Sequence, residues 1–198
     1  MDTAGPDAAD NARLFIALWP ERGVRDALAA WTEQWQWNAA AKRVPADRLH
    51  LTLHFLGDVP RARVPALRQA LARPFAPFSL SFGRAAVWRG GIAVLEPDRV
   101  PPRLRQLHAA LGETLRRLAL PAEARPYRPH LTLARRAAPA LPPAQGPKLR
   151  WPVRSYVLVE SCAERAAAYE VIEHYPVATP ADARTAPRRA DPADLPSR

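Results

Sequence analysis

The chain has 198 residues, 48% hydrophobic and 24% charged, a balance that excludes wholesale disorder and suits one domain with a proper core. Its 29 Lys+Arg against 19 Asp+Glu give a formal charge of +10, and only Lys42 and Lys148 are lysines, so arginine forks suited to phosphate and carboxylate oxygens dominate. The single cysteine, Cys162, excludes an internal disulfide and a cysteine-built zinc site, and no apolar run approaches a membrane span. We therefore expect a soluble, cytoplasmic monomer. The excess of Ala, Arg and Pro also fits a genome-wide compositional bias, so the charge alone favours a phosphate-bearing substrate only weakly.

In chain order, residues 1–10 and 179–198 are rich in Pro, Ala, Asp and Arg without apolar periodicity, and read as disordered tails around one domain over 11–178. Arg13 to Trp19 is a buried strand stopped by Pro20. Val24, Leu28, Trp31 and Trp35 mark one face of a helix over Glu21 to Trp37. Leu49 to Leu56 alternates like a strand, with Gly57-Asp58 as the turn after it. Arg61 to Ala72 is helical if Pro65 lies in the first turn. Phe78 to Leu95 reads as two or three antiparallel strands around Gly90-Gly91. Leu104, Leu107, Leu111, Leu115 and Leu118 form the stripe of a helix over Pro101 to Leu118. Pro129 to Arg135, Val153 to Ser161 and Ala167 to Val177 complete the strands. The order predicts an α+β fold.

One motif occurs twice. His-Leu-Thr-Leu stands at His50 to Leu53 and again, eighty residues on, at His130 to Leu133. On a strand, side chains alternate faces, so His50 and Thr52 share one face, as do His130 and Thr132, while the leucines enter the core. Two imidazoles, ordinarily titrating near 6.5, can act as one acid and one base at neutral pH, and two hydroxyls can donate to phosphate oxygens. Alternating strands with an occasional polar residue are common; a duplicated copy in a chain with five histidines is not.

The paired motif resembles the 2H phosphoesterase superfamily. The flanking text (RLFIALWP, RLHLTLHFLGDV, RPYRPHLTLARR, SYVLVES and YEVIEHYPV) is similar to its branch of RNA 2′,3′-cyclic phosphodiesterases, historically called the 2′-5′ RNA ligase family. The resemblance spans nearly all of the folded part. It implies a bilobal pseudo-twofold domain, two small antiparallel sheets flanking a central cleft with helices outside. It also implies His50 as proton donor, His130 as proton acceptor, Thr52 and Thr132 as phosphate ligands, and Arg135 as a phosphate-binding arginine. The implied reaction is metal-independent hydrolysis of RNA or nucleotide 2′,3′-cyclic phosphodiesters to 2′-phosphomonoesters, with no cofactor, and in reverse an ATP-independent 2′-5′ ligation. The partners are then RNA 3′ ends or nucleotides bearing a 2′,3′-cyclic phosphate. The glycine usual before the family's last strand is missing from Ala163 to Ala168.

Tyr127 and Arg128, just before the second motif, are candidates to reach a nucleotide base or its phosphates. Lys42 and Arg43 fit either an RNA guide or a solvated loop. His54 is expected on the His50 face as a rim residue, His108 on the helix margin as structural, His174 exposed on the last strand, and the tryptophans Trp31, Trp35 and Trp37 as core. Two other readings stand: a module that binds RNA ends without turnover, and a phosphodiesterase for another small cyclic phosphate or a 2′-5′ linked oligonucleotide.

Overall fold

The computed structural model describes residues 10–121, 126–162 and 169–177. Both expected tails (Asp10 excepted) and the glycine-free segment Ala163 to Ala168 lie outside the described residues.

The elements are β1 (Asn11–Leu18), α1 (Arg22–Thr32), β2 (Lys42–Arg43), β3 (Leu51–Pro60), α2 (Val64–Ala70), β4 (Phe78–Trp88), β5 (Ile92–Pro97), α3 (Pro102–Arg117), β6 (Leu131–Arg135), β7 (Arg150–Val153), β8 (Ser155–Ser161) and β9 (Tyr169–Pro176). Strands follow the order β7-β4-β5-β6-β3-β1-β8-β9, with β2 on β6, and every pairing is antiparallel. The expected two sheets are thus two halves of one nine-stranded sheet, β7-β4-β5-β6 with β2 and β3-β1-β8-β9, joined through one residue pair, Leu51 with Leu131. No helix among the described residues is long and apolar enough to cross a membrane.

The α3 stripe docks as its spacing predicts: Leu104, Leu107, Leu111 and Leu115 are buried, each worth roughly 1.5–3 kcal/mol relative to exposure. Pro65 does occupy the first turn of α2, where its missing N–H costs nothing. Gly90 and Gly91 turn the β4–β5 hairpin at φ +85° and +71°, and a side chain on Gly91 would press within 3.3 Å of the Ala137 backbone nitrogen.

Two expectations need correction. α1 stops at Thr32 rather than Trp37, because Trp35 and Trp37 stack in parallel with centroids 4.6 Å apart. Residues i and i+2 of a helix do not face each other, so this contact requires a turn. Gly57-Asp58 is no turn either: β3 runs on to Pro60, with Gly57 at φ +71° beside a bulge at Leu56. Neither β2 nor β7 was legible, being two and four residues long.

Candidate active site

The two motif strands lie side by side at the centre of the sheet. Leu51, Leu53, Leu131 and Leu133 are buried, while His50, Thr52, His130 and Thr132 are half-buried and line one cleft of about 520 Å³. Because Leu51 pairs antiparallel with Leu131, the register sets His50 towards Thr132 and Thr52 towards His130. A larger open groove of about 670 Å³, between α2 and β9, contains neither motif; Arg68 and Glu173 form an ion pair in it at 2.6 Å, and exposed His174 lines it.

The backbone repeats further than the motif. On β3 the register with β1 skips Leu53, between Thr52 opposite Ala17 and His54 opposite Ile16. On β6 the register with β5 skips Leu133, between Thr132 opposite Val94 and Ala134 opposite Ala93. Each bulge reverses the alternation, so the residue four positions after each histidine turns inward and the fifth turns to the cleft. His54 is therefore buried at 3% exposure, not a rim residue, and Phe55 faces the cleft at 46% exposure. The same reversal turns Ala134 in and presents Arg135. Phe55 escaped the sequence reading because strict alternation assigns it to the core.

Both histidines are held alike. Nδ1 of His50 donates to the Arg48 carbonyl at 2.7 Å, and Nδ1 of His130 donates to the Arg128 carbonyl at 2.8 Å. A carbonyl only accepts, so the proton of the neutral ring sits on Nδ1 and Nε2 is left for a substrate. The surroundings differ. His50 lies parallel to Trp19 with centroids 5.3 Å apart, near Phe15 at 5.0 Å and edge-on to Tyr169 at 5.4 Å. Burial among these rings pushes its pKa below the ordinary imidazole value; the Arg48 carbonyl opposes that shift and the nearby charge of His130 adds to it. His130 meets one ring, Trp88, at 4.5 Å.

The other predicted residues are placed as follows. Arg135 is exposed at the cleft and pairs across the sheet with Lys42. Arg128 also lines the cleft, but its Nε and one Nη bind both oxygens of buried Glu96 at 2.7 and 3.0 Å. Tyr127 presents a ring stacked on His108 at 3.8 Å; its hydroxyl is buried, and that burial raises its pKa strongly. His108 stacks in turn on His54 at 4.1 Å, and its carbonyl bonds His54 Nε2 at 2.8 Å, so both are structural. Gly112 on α3 admits this stack, since a Cβ there would lie 3.2 Å from the His54 ring. Arg43 is engaged by Glu33 at 2.7 Å. Among the described residues, no group of three or more His, Cys, Asp or Glu is placed to hold a metal ion.

Two antiparallel half-sheets, each lending a His-x-Thr strand to one cleft, define a two-lobed phosphoesterase fold, and the chain belongs to the 2′-5′ RNA ligase superfamily, whose model matches residues 24–161. It is 35% identical over 180 residues to an RNA 2′,3′-cyclic phosphodiesterase of Thermus thermophilus, covering 82% of this chain and 89% of that protein. It is 35% identical over 156 residues to a protein of the same name from Escherichia coli, covering 77% and 85%. The solved structure of Escherichia coli LigT complexed with 3′-AMP superposes with a TM-score of 0.77 at 28% identity, covering 85% of this chain and 99% of that one.

Proposed function

We propose that the cleft hydrolyses RNA or nucleotide 2′,3′-cyclic phosphodiesters to 2′-phosphomonoesters without a metal, with His50 as proton donor and His130 as proton acceptor. The observation that carries the reading is the pair of Nδ1-to-carbonyl tethers, which give both imidazoles the same tautomer and reserve both Nε2 atoms for chemistry beside a hydroxyl. The names of the curated relatives support the reaction class.

Water attacks phosphorus opposite the 3′ oxygen. His130 Nε2 takes the water proton, the P–O3′ bond breaks, and His50 Nε2 gives its proton to the departing oxygen. The histidines end with their protonation exchanged and reset through solvent. Thr52, Thr132 and Arg135 hold the charged phosphoryl oxygens as the bonds change. Burial of His50 works against its acid form in the free protein; the anionic phosphodiester, once bound beside the ring, favours it. Phe55 offers an exposed ring on which a nucleobase can stack. With an RNA 5′ hydroxyl in the place of water, the same steps form a P–O5′ bond as the P–O3′ bond breaks, leaving a 2′-5′ linkage without ATP. Both histidines come from one chain, so a monomer suffices.

The test is turnover of each nucleoside 2′,3′-cyclic phosphate in excess EDTA, with the product isomer identified. We expect full activity and a 2′-phosphate. Loss of turnover that Mg²⁺ or Mn²⁺ restores would overturn the metal-free mechanism, a 3′-phosphate would reverse the leaving group, and tight binding without turnover would make the chain an RNA-end-binding module.

A further inference from the structure

The repeated backbone allows positions in the two halves to be compared pairwise. On β1, Ala17 and Leu18 face Thr52 and Leu51; on β5, Val94 and Leu95 face Thr132 and Leu131. One residue further along each partner strand, the position beside the catalytic histidine is Trp19 in one half and Glu96 in the other. Trp19 does the expected thing and lies flat against the His50 ring. Glu96 is a carboxylate at 5% exposure next to an active-site imidazole, and such a group is costly to bury unless it is paired and hydrogen-bonded.

Its pairing is complete. Both oxygens accept from the Arg128 guanidinium, which holds the carboxyl below its usual range although burial opposes this, and Arg84 approaches at 3.8 Å. The guanidinium so fixed lies over the Trp88 ring, 4.2 Å from its centroid. Trp88 packs on the His130 ring at 4.5 Å, and the Arg128 carbonyl accepts a hydrogen bond from His130 Nδ1 at 2.8 Å. Two routes therefore run from Glu96 to the imidazole, one through the ring face and one through the nitrogen that sets the tautomer.

We propose that Glu96 is a positioning residue for His130, acting through Arg128 and Trp88, and that Arg128 is a clamp rather than a phosphate ligand. The inference rests on the reading of the cleft as a two-histidine phosphodiesterase. In the other half three aromatic rings hold His50; here an ion pair and one ring do the same work. With its fork turned to Glu96, Arg128 leaves phosphate binding to Arg135 and the two threonines.

The experiment is steady-state hydrolysis of a nucleoside 2′,3′-cyclic phosphate by Glu96→Gln, alone and in a His130→Ala background. Loosening the imidazole lowers kcat on the order of tenfold to a hundredfold with KM unchanged. With His130 absent the same substitution has no further effect, because it acts only through that ring. If Arg128 binds phosphate instead, Glu96→Gln frees the guanidinium, KM falls and kcat holds, which overturns the proposal. An equal loss in the wild-type and His130→Ala backgrounds overturns it too, since that is a general loss of folded protein. Should Glu96→Gln not fold, Arg128→Lys carries the same test, because that side chain is 60% exposed and the substitution breaks only the two-pronged pairing. Wild-type protein that turns over no cyclic phosphate would defeat the functional reading; an active wild type matched by an equally active Glu96→Gln would defeat this inference alone.

Discussion

The two halves of the molecule share a backbone down to a one-residue bulge, yet they surround their histidines differently. The His50 half is aromatic: Phe15, Trp19, Tyr169 and the exposed Phe55. The His130 half is charged: Arg135 at the position that matches Phe55, and Glu96 with Arg128 where the first half has Trp19 and Arg48. The repeat supplies two imidazoles of one tautomer, and the divergence makes them unequal. A dry, ring-lined pocket disfavours the charged imidazole of His50, while the open side beside arginine suits an anion and attacking water. In the free protein that inequality makes His50 the weaker proton holder, and the bound phosphodiester anion must reverse it before His50 can serve as the acid.

The most forceful way to break the comparison is to remove either ring. His50→Ala and His130→Ala should each slow turnover by roughly 10²–10⁴-fold, and the double variant should be little worse than the poorer single one, since both act in one displacement. Rates that multiply in the double variant would mean that the halves work separately. Next come the hydroxyls, which the repeat makes equivalent: Thr52→Val and Thr132→Val should each cost on the order of 1–3 kcal/mol in kcat/KM. A large effect at one and none at the other would place the phosphate in one half only. The smallest expected effect lies where the halves diverge. Phe55→Ala should raise KM for a nucleoside cyclic phosphate by about fivefold, corresponding to roughly 1 kcal/mol of stacking, with kcat unchanged. A fall in kcat instead would put Phe55 among the groups that shape the reaction centre.

Most of the site was legible in the chain because its chemistry sits on a short local repeat. Period-two alternation put His50, Thr52, His130 and Thr132 on one side and four leucines on the other, and the structure agrees. Alternation failed just beyond, at His54 and Phe55, because a bulge depends on the register with β1, a pairing between residues nearly forty positions apart. Glu96 was invisible for a similar reason: it is one acid among nineteen until β5 is paired with β6. The tethers left no sign in the sequence, because the carbonyls of Arg48 and Arg128 that hold the rings are backbone groups that any residue supplies. The fold was read correctly where an apolar stripe ran uninterrupted, as in α3, and missed where stacking between near neighbours overrode it, as at the end of α1.

The pH profile of kcat/KM on a nucleoside 2′,3′-cyclic phosphate, measured in EDTA for the wild type and for His130→Ala, tests the division of labour between the halves most directly. The account predicts a bell whose limbs belong to the histidine pair. Its acidic limb should fall below about 6.5, because burial lowers His50 and the pair's last proton is therefore held less tightly than an ordinary imidazole would hold it. In His130→Ala one limb should vanish, leaving a single titration. A wild-type rate that is flat across the histidine range, or a bell that survives intact in His130→Ala, would contradict the two-histidine mechanism.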